Sequence, residues 1–504
     1  MGHAAGWTVL GTILPGLGLW RSGKRVTGSL VMAIALLLVG GLAAAAFFQK
    51  QVVALATNPK LVLQVSAVGL LVLALAWVIV IGSTHLALRP AGASLGQRAA
   101  GGALVGVLSF VVAAPLALGA NVAYSAAGLV GSIFGGDEGS QTVPQITNTV
   151  DPWAEKEQLN VLILGGDSGT GRSDKLGMRP DTVIVASIDT ASGATTLFSL
   201  PRQTARMPFP KDSKLHDYFP NGWYDGRDPK NQEYALNAMY RNIPPRVPKD
   251  ILGKTKHLPE DIMKVSVGEA LGLDIDYFVT VNMDGFKDVI NALGGITVNV
   301  NEPIPIGGNT DRNWLPTGWI EPGPDQHLKG RLALWYARGR WGYEDYSRMA
   351  RQRCVINAVA QQANPLNVLT NFQKLAAAGE KTVNSDIPDS MVGPMLTLAT
   401  RVQGTKLRSI GFENGKDGFS TLNPNWETVR KRVQTALKEA KKSNAEPTAS
   451  STPTASSSAS PTNKPTKKPK SSDLTDECAY NPTGFKPKGY PGTRDDPKGY
   501  RQGR

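Results

Sequence analysis

Three long apolar runs fill the first quarter of the chain, and short apolar runs alternating with amphipathic stretches fill most of the rest. Residues 30–48, 61–81 and 99–120 are each close to the ~20 residues that cross a bilayer, and none contains an acid, a lysine or an arginine. One such run fits a buried core helix; three in succession predict a membrane region. Arg21, Lys24 and Arg25 precede the first run, and His85, Arg89 and Arg98 separate the second from the third. Only Lys50 and Lys60 lie between the first two. This bias predicts a cytoplasmic N-terminus and a multi-pass cell-membrane protein with everything after about Tyr124 outside. An earlier apolar piece, residues 7–20, is short and broken by Pro15, Gly16 and Gly18, and so reads as interfacial or re-entrant.

Beyond the membrane region (1–130) and a polar stalk (131–158), residues 159–442 alternate strand and helix patterns, the signature of an α/β layered domain. NVLILGGDSGTGR, RPDTVIVASID and TTLFSLPRQT read as three neighbouring strands that bring Asp167, Arg179, Asp181 and Arg202 to one sheet edge. Helices are predicted at 232–242 and at 259–271, where Pro259 suits a first turn. A strand at 277–281 precedes a helix at 285–293 that Gly294 and Gly295 stop, and ITVNV then alternates as a half-buried strand. Further helices are expected at 346–363, 366–382, 390–402 and 426–441, with a late strand at 406–412. Residues 443–473 are largely Ser, Thr, Pro and Lys, too polar to bury a core. The basic tail, 474–504, keeps Cys478, Tyr480, Phe485, Tyr490 and Tyr500 in a Gly/Pro/Lys background and reads as mostly extended, free to touch the wall or the domain.

The net charge of +13 suits an anionic partner such as a phosphate-bearing lipid or wall polymer, and the predicted location disfavours nucleic acid. Two cysteines and five scattered histidines exclude a zinc cluster. Cys354 and Cys478 are either a disulfide, on the oxidising side, or buried free thiols. GDSGTGRS (166–173) nearly matches a phosphate-binding loop, but Arg172 replaces the lysine, and Gly177 and Pro180 interrupt the helix such a loop must open. GDSG also resembles a serine-protease nucleophile segment, yet the only upstream histidines, His3 and His85, belong to the membrane part. What remains is two carboxylates among arginines, the groups a divalent metal and a phosphate ester need. Arg338 and Arg340 alternate in WYARGRW, so an extended segment would aim both guanidinium groups the same way. Arg348, Arg351 and Gln352 follow along one helix stripe. Arginine suits phosphate because its planar fork donates paired hydrogen bonds and keeps its charge. The apolar run VIVASI and the segments 289–293 and 354–359 fit either a slot for a prenyl chain or ordinary core.

The series LILGGD, RPDT, SLPRQT, ALNAMY, DYFVTV with GFKDVINALGGITVNV, GRLALWYARGRW and DYSRMARQR resembles the extracellular domain of the LytR-CpsA-Psr family over residues 159–363. The resemblance implies a three-layer α-β-α domain with a central mixed sheet. It implies an enzyme, a phosphotransferase that moves a glycopolymer (wall teichoic acid, capsule or arabinogalactan) from a polyprenyl-pyrophosphate carrier onto peptidoglycan. Asp167 and Asp181 match the family's Mg2+ (or Mn2+) ligands. Arg179, Arg202, Arg338 and Arg340 match the arginines around the pyrophosphate, and Arg351 and Gln352 match a helix motif lining the same site. Asp345 matches an acid just before that motif, either a general base or a positioning group for Arg340 or Arg348. One position departs: the family pattern Pro-Arg-Asp-Thr has Gln203 in place of the acid. The alternatives are a non-catalytic binder of polyprenyl phosphate or wall polymer, and a pyrophosphate phosphatase with water as acceptor.

Overall fold

The computed structural model describes residues 2–47, 59–133, 140–144, 146, 152–154, 156–167, 178–309, 313–363, 383–445, 472–487 and 489–491. Two compact units divide the chain, Met1–Gly131 and Ser132–Arg504.

The first unit is helical: α1 (Gly2–Ile13), α2 (Leu17–Arg21), α3 (Arg25–Phe47), α4 (Pro59–Leu88) and α5 (Leu95–Ile133). Among the described residues two stretches, Lys60–Leu88 and Leu95–Gly128, are long and apolar enough to cross a membrane. Only 17% and 6% of their most apolar windows are buried, the reverse of a soluble core helix. Among the described residues the first expected span is represented by a shorter apolar helix, Arg25–Gly41, within α3. Residues 7–20 form α1 and α2, which meet at Gly16 in the left-handed region (φ 97°) and pack on α4. A Cβ on Gly18 would lie 2.2 Å from Thr84 Cγ2, so glycine is what lets α2 close on α4. Trp77 Nε1 also donates to the Thr12 carbonyl at 3.1 Å.

The second unit is α/β around a mixed sheet. Its first strands are β1 (Gln158–Gly166), β2 (Pro180–Asp189) and β3 (Thr195–Ser199), followed by α6 (Lys214–Tyr218), α7 (Leu236–Asn242), α8 (Leu258–Leu271) and β4 (Tyr277–Val281). Then come α9 (Met283–Ala292), β5 (Ile296–Val300), β6 (Ile304–Asn309), β7 (Trp314–Ile320), β8 (Gly323–Leu328), α10 (Gly330–Arg338) and α11 (Asp345–Gln362). The chain closes with β9 (Val383–Ser385), α12 (Val392–Gln403), β10 (Arg408–Gly411), α13 (Trp426–Ala445), β11 (Ser472–Asp473) and α14 (Leu474–Glu477). Strand order is β11-β10-β3-β2-β1-β4-β9. The β1–β4 and β3–β10 pairs are parallel and the others antiparallel.

The central strands read as continuous apolar runs because both of their faces are covered. Leu162, Leu164, Val183 and Val185 share a cluster with α7, α8 and α13 (Met239, Ile262, Val433). Ile184, Ala186 and Leu197 point the other way, into a cluster with Val402, Leu407 and Leu474. The VIVASI run is therefore ordinary core. A third cluster joins α9, α10 and α11 to the small sheets β5–β8 and β6–β7, of whose strands the hydrophobic pattern signals β5 alone.

Other expectations are modified. Within the stalk, Ser140 and Thr142 donate to the Asp261 carboxylate at 2.9 and 2.6 Å, tying that stretch to α8. The tail is not simply extended: β11 pairs with β10, α14 follows, and Cys478 forms a disulfide with Cys354 of α11. Residues 168–177, into which both motif matches run, the expected helix at 366–382 and the Ser/Thr/Pro/Lys linker lie outside the described residues, save the linker's two ends.

Candidate active site

Strand register builds one wall of the site. β1 and β2 are antiparallel with Gly166 opposite Pro180, so Asp167 at the end of β1 and Asp181 at the start of β2 are neighbours. β3 runs antiparallel to β2 with Ser199 opposite Ile184, which delivers Pro201 and Arg202 to the same edge. The close approach of β1 and β2 there needs glycine: a Cβ on Gly165 would lie 2.8 Å from the Thr182 side chain. The backbone N–H of Arg179 makes a long contact, 3.5 Å, with Asp167 Oδ1.

The opposite wall is the α10–α11 connection. Here the expected extended segment is corrected: Arg338 is the last residue of α10, and Arg340 follows a bend at Gly339. The bend exists because backbone packs on backbone; a Cβ at Gly339 would lie 2.8 Å from the Pro305 carbonyl oxygen and 2.9 Å from Ile304 Cγ2. The Arg338 guanidinium consequently lies over the Trp335 ring, 5.7 Å from its centroid, while Arg340 approaches the carboxylates.

Asp345, at the first position of α11, is the hub. Arg348 one turn later grips it with both ends of its fork, Nε to Oδ1 at 3.1 Å and Nη2 to Oδ2 at 2.9 Å. Its remaining Nη1 donates to the Asp181 carbonyl at 2.9 Å, so one buried arginine, 2% exposed, fastens α11 to β2. Arg202 bridges the two acids, with Nη1 to Asp181 Oδ1 at 2.5 Å and Nε 3.6 Å from Asp345 Oδ2. Arg340 Nη1 is 4.0 Å from Asp345 Oδ1.

Charge sets the titration of these groups. Burial pushes the Asp181 carboxyl up, but Arg202, then Arg348 and Arg340, outweigh it and hold the group below the usual carboxylate range. Arg202 is pulled down by burial and carried above its ordinary value by Asp181 and Asp345. Arg340 moves the other way: desolvation, and then repulsion from Arg202, lower it more than the acids raise it. A half-buried guanidinium crowded by another guanidinium is a place where an added anion is stabilised.

The remaining candidates are placed elsewhere. Arg351 and Gln352 turn to the C-terminal end of α10: Arg351 donates to the Tyr336 and Gly339 carbonyls, and Gln352 to that of Ala337. They satisfy carbonyls left open where a helix ends, and burial lowers Arg351 to about 10. Arg179 reaches away from Asp181 to the Gln232 carbonyl (3.0 Å) and Glu233 (3.1 Å). Gln203 sits exposed in the turn that Thr204 closes by donating to the Pro201 carbonyl. Arg348 is the residue whose weight the helix stripe does not reveal; its signal is the i, i+3 spacing from Asp345. No group of three or more His, Cys, Asp or Glu suited to a metal occurs among the described residues. The acid pair at the strand edge is Asp167 and Asp181.

Fold and site together define an α/β protein with two helices long and apolar enough to cross a membrane and a cluster of arginines and carboxylates at a sheet edge. The LytR_cpsA_psr family model matches residues 136–442, and the chain belongs to that family. Among its relatives, the polyisoprenyl-teichoic acid–peptidoglycan teichoic acid transferase TagU of Enterococcus faecalis is 30% identical over 56% of this chain and 80% of its own length. Biofilm regulatory protein A of Streptococcus mutans is 28% identical over 47% of this chain and 52% of its own. A crystal structure of Bacillus subtilis TagV aligns with a TM-score of 0.38 at 23% identity, over 57% of this chain and 98% of that one.

Proposed function

We propose that this chain transfers a cell-wall glycopolymer from a polyprenyl-pyrophosphate carrier to peptidoglycan, outside the membrane that its N-terminal helices cross. The observation that carries the reading is the cluster of Arg202, Arg340 and Arg348 around Asp181 and Asp345, in which burial and then its cationic neighbour disfavour the charge on Arg340. A pyrophosphate supplies the missing negative charge, and TagU, named as a teichoic acid transferase, supports the donor class.

The step is phosphoryl-group transfer. A hydroxyl of the acceptor, the C6 hydroxyl of a muramic acid residue, attacks the phosphorus next to the sugar. The bond from that phosphorus to the bridging oxygen breaks, and polyprenyl phosphate leaves with the bonding pair. Arg202 and Arg340 stabilise charge on the non-bridging and leaving oxygens. Asp345, held by Arg348, receives the acceptor proton or fixes the arginines that meet the phosphates. The donor carries its own activation, which suits a compartment without nucleotide triphosphates.

Asp167 and Asp181 fit a Mg2+ or Mn2+ ion by chemistry: two hard carboxylate donors at adjacent strand ends, enough for an ion that keeps waters and substrate oxygens in its shell. When bound, such an ion neutralises pyrophosphate charge. The test is incubation of the full chain in detergent with Mg2+, a polyprenyl-pyrophosphate glycan and peptidoglycan fragments. Linked product supports the transferase, free phosphorylated glycan a phosphatase, and binding without turnover a carrier protein. Unchanged turnover in Asp181→Asn or Arg202→Ala would overturn the site assignment.

A further inference from the structure

The family match ends at residue 442, yet the chain returns to the domain thirty residues later. Its return is anchored by β11 on β10, by Leu474, fully buried, and by the Cys354–Cys478 disulfide. From there the backbone follows a polar track. Asn299 Nδ2 donates to the Cys478 carbonyl at 2.9 Å and Asn301 Nδ2 to that of Ala479 at 3.0 Å. Asn301 Oδ1 accepts from the Asn481 N–H at 2.8 Å. At the far end Tyr490 donates to Glu321 Oε2 and sets its ring edge-on to Trp319, with centroids 5.2 Å apart.

Between these anchors the tail crosses the α10–α11 connection, the loop that carries Arg340 at one end and Asp345 at the other. That loop has a single internal turn, Tyr343 N–H to the Arg340 carbonyl at 2.9 Å, and two aromatic pegs, Trp341 and Tyr343. The Tyr343 ring is fixed on three sides. Its hydroxyl donates to the Pro303 carbonyl at 2.7 Å, and the Arg351 guanidinium lies 5.5 Å from its centroid. Phe485 of the tail meets it at 5.3 Å and 63°. The tail also passes beside Trp341 at Gly489, whose φ of 82° favours glycine.

We propose that residues 479–487 and 489–491 are a strap that positions the Arg340–Asp345 loop, with Phe485 acting through Tyr343, so that a segment outside the family's shared domain belongs to the active unit. The proposal rests on the reading of this loop as one side of a pyrophosphate site. It differs from a purely stabilising role because the strap packs on Tyr343 of the loop that bears the charged groups.

The experiment uses the full chain in detergent micelles, with Phe485→Ala, Phe485→Trp and a chain ended after Asn481, which keeps Cys478. Two readouts are taken: calorimetric binding of inorganic pyrophosphate with Mg2+, and kcat and KM for the lipid-linked donor. Phe485→Ala and the shortened chain should bind pyrophosphate about fivefold more weakly and raise KM similarly, the scale of one aromatic pair. Phe485→Trp should restore both, with melting temperatures within about 2 °C of the parent. Parental binding and KM in Phe485→Ala overturn the proposal, as does failure of Phe485→Trp to restore a loss. If the shortened chain does not fold, the Phe485 pair decides alone. A parent that binds pyrophosphate in a strap-dependent way without transfer upholds the strap and removes the transferase reading. A parent that transfers, with variants unaffected, does the opposite.

Discussion

Replacing Arg348 by lysine separates charge from geometry at the centre of the site. The native guanidinium is nearly inaccessible and makes three hydrogen bonds, two to Asp345 and one to the Asp181 carbonyl. Lysine keeps the positive charge, but its single ammonium on a differently shaped stem cannot hold both carboxylate oxygens and reach β2. At about 1.5–3 kcal/mol for each hydrogen bond to a charged group, loss of two amounts to roughly 3–6 kcal/mol, in line with breaking a buried pair. Thermal unfolding of the full chain in detergent, followed by tryptophan fluorescence, should shift down by roughly 5–10 °C. Transfer should fall about 100-fold, mostly in kcat, because Asp345 and Arg202 lose their fixed relation and small misplacements cost that much. Both effects should appear without removal of a charge. If Arg348→Lys kept turnover within threefold of the parent and its melting point within about 1 °C, the hub argument would be wrong.

Three further outcomes follow from buried or exposed groups. Burial raises Glu260 to about 7, more than its hydrogen bond from Tyr240 lowers it. Between the ordinary carboxyl value near 4.3 and about 7, the folded chain therefore holds a proton the unfolded chain has released. Stability should fall by up to about 3 kcal/mol as pH rises through that window and level off above it, and Glu260→Gln should flatten the profile measured by melting at pH 5 and 8. Gln203→Asp restores the family pattern at an exposed turn position outside the arginine–carboxylate network, so turnover should change less than about threefold, whereas a tenfold gain would show that the acid acts directly. Replacing Cys354 and Cys478 together by serine opens a link across 124 residues and should lower stability by about 2–5 kcal/mol, a loss that a reductant reproduces in the parent melt.

The legible part of this molecule is the part fixed by local pattern. Strand period and turn residues suffice to put Asp167, Asp181 and Arg202 at one edge, because β1, β2 and β3 are successive antiparallel neighbours whose register brings those ends together. The α10–α11 wall is different. Alternation in WYARGRW is compatible with a strand, but α10 runs to Arg338, and the bend at Gly339 is dictated by β6, whose Pro305 carbonyl leaves no room for a side chain. The hydrophobic pattern gives no sign of β6 because its IPIGGN sequence, interrupted by Gly307 and Gly308 at positive φ, lacks the alternation of a half-buried strand. The same limit explains Arg351 and Gln352. Their spacing places them on one stripe of α11, yet whether a buried arginine meets a phosphate or a helix end depends on which carbonyls are left open nearby. Those carbonyls exist because α10 stops at Arg338. Arg351 and Gln352 hold the bend that presents Arg340, and Arg348, one turn earlier, holds the acid that Arg340 approaches. A helix stripe of three polar residues is thus split by a neighbouring helix end into one residue that organises the carboxylates and two that shape the loop. Only the tertiary contact, not the stripe, assigns which is which.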